Sequence, residues 1–167
     1  FVIKADRYGK PLWMKNYGGR FSDVASDLVL EGDSYIIAGT SDSYGNGTND
    51  IYLLKINNQG DLIWSKSFST TLDETSASIT YAIDGGFIIC GNTRNTNNLG
   101  RNALIIKIDT EGNLIWKKDY GSTGGETASE VIITSDNNYI FVGSKADPST
   151  GIQNIYLVKI DASGNLI

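Results

Sequence analysis

The chain has 167 residues, 40% of them hydrophobic, 10% aromatic and 20% charged, enough apolar side chain to bury a core and too much for a disordered or collagen-like segment. With 14 Lys and Arg against 19 Asp and Glu, a net charge of −5 and no histidine, it lacks the basic field that nucleic acid or an anionic membrane requires. The same composition excludes histidine triads, histidine metal sites and a histidine general base. A single cysteine, Cys90, rules out an intrachain disulfide and any multi-cysteine metal site, and no apolar run approaches the roughly 18–20 residues of a membrane-spanning helix.

In chain order, the first element is FVIKAD (residues 1–6). It returns as IYLLKIN (51–57), ALIIKID (103–109) and IYLVKID (155–161), with Lys4, Lys55, Lys107 and Lys159 aligned at spacings of 51, 52 and 52. Each copy passes through a glycine turn into a second apolar run, residues 9–13, 60–64, 112–116 and 164–167, and Trp13, Trp64 and Trp116 share one position in it. The third element is centred on residues 28–30, 79–81 and 131–133. The fourth is YIIAG (35–39), FIICG (87–91) and YIFVG (139–143). Runs of about 5–7 residues rich in Ile, Val, Leu, Tyr, Phe and Trp are too short for helices and read as strands. The tight connections carry Asp84, Gly85 and Gly86, or Asp136, Asn137 and Asn138, or Glu111, Gly112 and Asn113, or Ser163, Gly164 and Asn165, residue types that tolerate positive φ.

Four short antiparallel strands recurring at roughly 50 residues predict an all-β chain, a β-propeller built of four-stranded antiparallel blades. About three blades are present, as a partial propeller or one completed by further chain. Residues 1–17 read as the outer hairpin of a preceding blade, 23–68 and 74–120 as blades, and 126–167 as an incomplete blade. The start in mid-blade at Phe1, without an initiator Met, gives the expectation of a fragment of a longer polypeptide or of several copies assembling, because a solitary arc leaves apolar blade faces in water. Long connections at 17–22, 41–50, 68–73, 92–102, 120–125 and 144–154 all project from one face, which is the expected binding face.

The three tryptophans, at one position of successive units, are expected between adjacent blades rather than as sugar-stacking platforms. Cys90 aligns with Ala38 and Val142, the place of a small core residue. The repeated lysines lie inside apolar strands and need a charge partner or a route to water. The candidate binding residues are Asp23, Glu74 and Glu126, which enter the innermost strand of each blade. Three roles are open to them: accepting backbone N–H groups, pairing with the lysines, or forming a ring of negative charge at the channel mouth for a cation or basic ligand. The calcium-loop pattern D-x-[DN]-x-[DN]-G is absent, the oxygen-rich loop at 41–50 lacks that spacing, and no metal or other cofactor is expected. The glycine-rich stretches 17–19 and 121–125 lack the features of a phosphate loop, and Asn46, Gly47 and Thr48 form a glycosylation sequon on a long loop. Once repeated positions are set aside, Arg20, Tyr44, Arg94, Arg101 and Asp147 remain on loops, with Asp27, Glu31 and Glu130. No nucleophile-and-base pair emerges from them.

The unit DYGSTGGETASEVIITSDNNYIFVG (119–143), followed by IYLVKIDASGN (155–165), resembles the roughly 50-residue β-propeller repeats of prokaryotic secreted and cell-surface proteins, over nearly the whole chain. The K-I-D-x-x-G-N-L-I-W hairpin is more distantly similar to the tryptophan-docking hairpin of quinoprotein propellers, whose cofactor ligands have no counterpart here, and it departs from the sialidase Asp-box. The resemblance implies a propeller outside the cytoplasm. The expected function is therefore a non-catalytic extracellular or cell-surface scaffold for assembly, or for protein or glycan recognition through the long-loop face. Its partners would include further blades of the same or another chain, with no nucleic acid and no membrane insertion. The alternatives are a carboxylate-based glycosidase or other propeller enzyme with its site partly outside this chain, and a structural subunit of a filament or surface layer.

Overall fold

A computed structural model of the chain describes residues 1–46, 49–94, 100–122 and 124–167. The chain is all-β, with strands, turns and loops and no helix among the described residues. Strands β1 (Val2–Ala5) and β2 (Pro11–Lys15) form a hairpin. β3 (Asp23–Glu31), β4 (Ser34–Ser41), β5 (Asp50–Ile56) and β6 (Leu62–Phe68) form a four-stranded antiparallel meander. A second meander follows in β7 (Glu74–Tyr81), β8 (Phe87–Arg94), β9 (Arg101–Ile108) and β10 (Leu114–Tyr120). A three-stranded sheet of β11 (Glu130–Ile133), β12 (Tyr139–Ala146) and β13 (Gln153–Ile160) comes last, and a single bridge from Ile160 to Leu166 lies on its outer edge. Among the described residues the four sheets close into neither a barrel nor a ring.

The strands read as continuous apolar runs because the middle sheets are covered on both faces, so the two-residue period serves two cores at once. Along β4, Ile36 and Ala38 point to one side and Ile37 to the other. Ile37 packs with Leu54 and Ile56 against Val2 and Trp13 of the leading hairpin. Ile36, Ala38, Ile51 and Leu53 meet Ile79, Phe87, Ile89, Leu104 and Ile106 of the next sheet. Ile88, Cys90, Ala103 and Ile105 in turn meet Val131, Tyr139, Phe141 and Val158 of the last one. Each such side chain, fully buried, contributes roughly 1.5–3 kcal/mol.

Two local devices set this stacking. In the outer hairpins a carboxylate or amide side chain closes the turn around a glycine. Asn57 Oδ1 accepts the amides of Gln59 and Asp61 about Gly60 (φ 77°), and Asp161 Oδ1 accepts those of Ser163 and Asn165 about Gly164 (φ 77°). In the first strand of the two four-stranded sheets the register slips by one residue, between Ala25 and Asp27 and between Ser76 and Ser78. This brings the first strand's carbonyls over Gly39 and Gly91 on the second strand, where any Cβ would collide.

The tryptophans bridge successive sheets. Trp13 donates from its indole N–H to the Asn58 carbonyl (3.0 Å), and Trp116 to that of Ala162 (3.2 Å), both in the outer turn of the following sheet. Tyr17 and Tyr120 donate to the carbonyls of Gly60 (2.5 Å) and Gly164 (2.7 Å) in those same turns. Trp64 lies against Gly112 in the same way, yet its buried indole nitrogen has no acceptor among the described residues. The indoles are half-buried rather than enclosed, since they lie at the periphery of the stack. Trp116→Ala is accordingly expected to cost about 2–3 kcal/mol, below the 3–5 of a fully buried tryptophan, as read by urea denaturation.

At the other edge of the stack the first strands stand side by side. Ser26 and Ser76 share a hydroxyl contact of 2.8 Å, Asp27 Oδ2 accepts the Ile79 amide at 2.9 Å, and the Tyr81 hydroxyl donates to the Leu30 carbonyl.

Candidate functional site

Asp23, Glu74 and Glu126 occupy one repeat position at the entry of their sheets, and each turns back on the loop that precedes it. Asp23 Oδ2 accepts the Gly19 amide (2.8 Å), Glu74 Oε2 the Thr70 amide (3.2 Å) and Glu126 Oε2 the Ser122 amide (2.8 Å), in every case four residues earlier. The hydroxyls of Thr70 and Ser122 donate to the same carboxylates, and Ser43 donates to Asp23 at 2.8 Å. The second strand of each sheet closes the arrangement from the other side. Ser41 donates to Asp23, Thr93 to Glu74 (3.2 Å), and the Lys145 ammonium lies 3.1 Å from Glu126. Glu74 and Glu126 are fully buried, and their oxygens are met by these donors.

Of the three roles open to these carboxylates, loop closure is therefore the geometry adopted. Each acid sits in its own sheet with its own donors. Among the described residues no group of three or more His, Cys, Asp or Glu side chains could hold a metal ion. The repeated lysines do not pair with Asp23, Glu74 and Glu126. Register places Lys55, Lys107 and Lys159 beside the short turn joining the first two strands, at the other end of the sheet, facing Ile36, Ile88 and Ile140. Lys55 pairs there with Glu31, Lys107 with Asp84 (2.5 Å), and Lys159 with Asp136 (2.5 Å). Lys4 reaches across to Asn58 of the next sheet.

The donors were not singled out from the sequence, although a signal for them exists. Ser41, Thr93 and Lys145 recur at a spacing of 52, as do the hydroxyls of Thr70 and Ser122. Reading the repeat for polar positions, as well as apolar ones, isolates this set.

Electrostatics follow from the contacts. Burial alone would raise the Asp23 carboxyl, but the Ser41 hydroxyl, the Gly19 amide and Ser43 outweigh it and hold the group below its usual value. For Glu126 burial is likewise outweighed, by the Ser122 side chain and amide together with Lys145. Lys107 draws Asp84 down, and Lys159 holds Asp136 well below the carboxylate range. A carboxyl whose folded pKa lies below its unfolded value of about 4 binds fewer protons when folded, so its stabilisation is complete above that value and is lost as pH falls through the folded pKa. The melting temperature is expected to be flat from about pH 5 to 8 and to fall steadily below about pH 4, a profile that calorimetry across that range checks.

Several of the non-repeated residues have structural partners. Asp147 closes its own loop by accepting from the Ser149 hydroxyl (2.6 Å) and from the amides of Ser149 and Thr150, which bring its carboxyl to about 2. Asp27 holds the Ile79 amide, Glu31 pairs with Lys55, and Arg94 lies 3.8 Å from Asp73. Burial pushes the Cys90 thiol up to about 12, which removes it as a nucleophile near neutral pH. On the long-loop face Tyr44 stacks on Tyr52 with centroids 4.8 Å apart and donates its hydroxyl to the Gly18 carbonyl, beside the exposed Phe21. The sequon residues Gly47 and Thr48 lie outside the described residues, as do Thr123 of the glycine-rich stretch 121–125 and residues 95–99 of the loop 92–102.

No protein-family model matches the chain, and a search of curated proteins finds no match.

Proposed function

We propose that the chain is a sector of a β-propeller and serves as a non-catalytic recognition scaffold outside the cytoplasm, binding protein or glycan through its long-loop face. The observation that carries this reading is the use made of the repeated carboxylates. In each unit the acid at the loop-face end ties the loop between sheets to its own sheet, through Gly19, Thr70 or Ser122 on one side and Ser41, Thr93 or Lys145 on the other. Acids held this way present loops rigidly, and a preformed loop surface binds with less loss of conformational freedom. Face-to-face packing of meander sheets, with their first strands side by side, supports the propeller sector. Placement outside the cytoplasm rests on the resemblance of the repeat to secreted and surface proteins.

The test is an array of immobilised glycans and unglycosylated surface peptides probed with the chain and with two variants. Tyr44→Ala on the loop face is expected to abolish the binding seen with the unaltered chain, and Glu111→Ala on the turn face to leave it intact. Loss with both variants or with neither overturns the assignment to the loop face. Turnover of chromogenic glycosides that disappears on a single Asp or Glu substitution overturns the non-catalytic reading.

A further inference from the structure

One repeat position is exposed in the first four-stranded sheet and buried in the two sheets that follow. Leu28 is 52% exposed, whereas its counterparts Ile79 and Val131 are 3% and 2% exposed. The two filled cases identify what covers this position. Ile79 packs under Val29, Ile36 and Ala38 of the β3–β4 hairpin, and Val131 under Ile88 and Cys90 of β8. In both cases the covering hairpin is joined edge to edge, through its second strand, to the third strand of its own sheet, β4 to β5 and β8 to β9. β1 is the counterpart of β5 and β9, with Lys4 in the place of Lys55 and Lys107. Among the described residues it pairs with β2 alone, so its inner edge carries no strand there.

Val24 of β3 lines a groove with Phe1, Val2 and Ile37, and Leu28 and Leu30 further along the same strand are exposed. The filled seats also share a polar anchor. Thr40 Oγ1 accepts the Ser76 amide (3.1 Å) and Asn92 Oδ1 the Ala128 amide (2.9 Å), and the counterpart of those two amides in the open seat belongs to Ala25.

We infer that this groove docks an antiparallel β-hairpin of the repeat's own pattern, which extends the β1 edge by main-chain hydrogen bonds and lays alternate apolar side chains on Leu28 and Leu30. Its chemistry is set by the filled seats: an aliphatic and a small residue two apart in the second strand, as in Ile36 and Ala38 or Ile88 and Cys90, and a Thr or Asn two residues beyond. Strand addition supplies affinity through the backbone, and the alternate pockets supply selectivity. The inference rests on the stacked-repeat reading proposed above and is separate from loop-face recognition, which the Tyr44 variant tests by itself.

The experiment uses a synthetic peptide of residues 23–41, which carries Val29, Ile36, Ala38 and Thr40, added to the chain. Binding is followed by Trp13-region fluorescence and by amide hydrogen exchange at β1. The expected result is saturable binding with exchange at Val2–Ala5 slowed by about tenfold or more, as free-edge amides gain partners. Leu28→Lys in the chain changes an exposed position, so the fold is retained, as an unaltered melting temperature would verify. It should weaken binding by about tenfold or more, as should Ile36→Lys in the peptide, because each places a charge against apolar side chains. No binding to millimolar peptide, or binding indifferent to both substitutions, overturns the inference. A dimer of the chain that Leu28→Lys abolishes, without measurable peptide affinity, assigns the groove to a second copy and overturns it equally.

Discussion

Phe87→Ala is expected to lower the stability of the chain by about 3–5 kcal/mol and its melting temperature by roughly 6–20 °C, the largest effect of any single side-chain truncation considered. Phe87 is buried between the two four-stranded sheets, among Ile36, Ile51, Leu53, Ile106 and Ile108, with its ring 6.0 Å from that of Tyr81. It opens β8 opposite Ile108 and so joins the core to the turn that Lys107 and Asp84 close. Truncation removes the ring from an interface that has no solvent route for compensation, and the total stability of a domain this size is only about 5–15 kcal/mol. Phe21→Ala, at an exposed loop position, is expected to change stability by less than about 0.5 kcal/mol. Thermal and urea unfolding of the pair measures the contrast. Equal effects would mean that the interface between the sheets does not hold the chain together.

Gly91→Ala is expected to cost about 3 kcal/mol although it adds one methyl group. A Cβ at Gly91 would stand 2.1 Å from the Thr75 carbonyl oxygen and 3.1 Å from Ser76 Cα, both backbone atoms of β7. The neighbour can yield only by pulling β7 away from β8, at the point where the register slips. The same clash stands at 1.9 Å for Gly143 and 2.6 Å for Gly39, so the order of damage should be Gly143 and Gly91 ahead of Gly39. Urea unfolding of the three alanine variants checks the order. A Gly91→Ala protein as stable as the parent would show that the first and second strands can separate without loss, contrary to the packing described.

The strands were legible because two independent signals coincide at every copy. An apolar alternation is followed at fixed distance by a turn whose Asp or Asn and Gly have a mechanical role, as in Asn57 and Gly60 or Asp161 and Gly164. Even the burial of Cys90 follows from its alignment with Ala38 and Val142. The partners of the charged residues were less legible, because a pairing depends on strand register as well as on composition. Lys107 finds Asp84 since β9 runs antiparallel to β8 with Lys107 opposite Ile88, near the turn. A shift of two residues would have carried it away from that carboxylate while leaving the apolar pattern unchanged. The loop-closing role of Glu74 was visible as one of three choices, and what decided it, the return of the 68–73 loop to place the Thr70 amide on the carboxylate, is a backbone path that residue identities do not specify.

A propeller sector requires the sheets to fan about a common inner edge, and electron spin distances between the outer turns measure that fan. Gln59, Glu111 and Ser163 are exposed and occupy one turn position in successive sheets, and the buried Cys90 leaves labelling to introduced cysteines. With labels placed in pairs at Gln59→Cys, Glu111→Cys and Ser163→Cys, a fan gives equal 59–111 and 111–163 distances, and a 59–163 distance clearly shorter than their sum. A 59–163 distance equal to that sum would describe a flat stack and contradict the propeller arc.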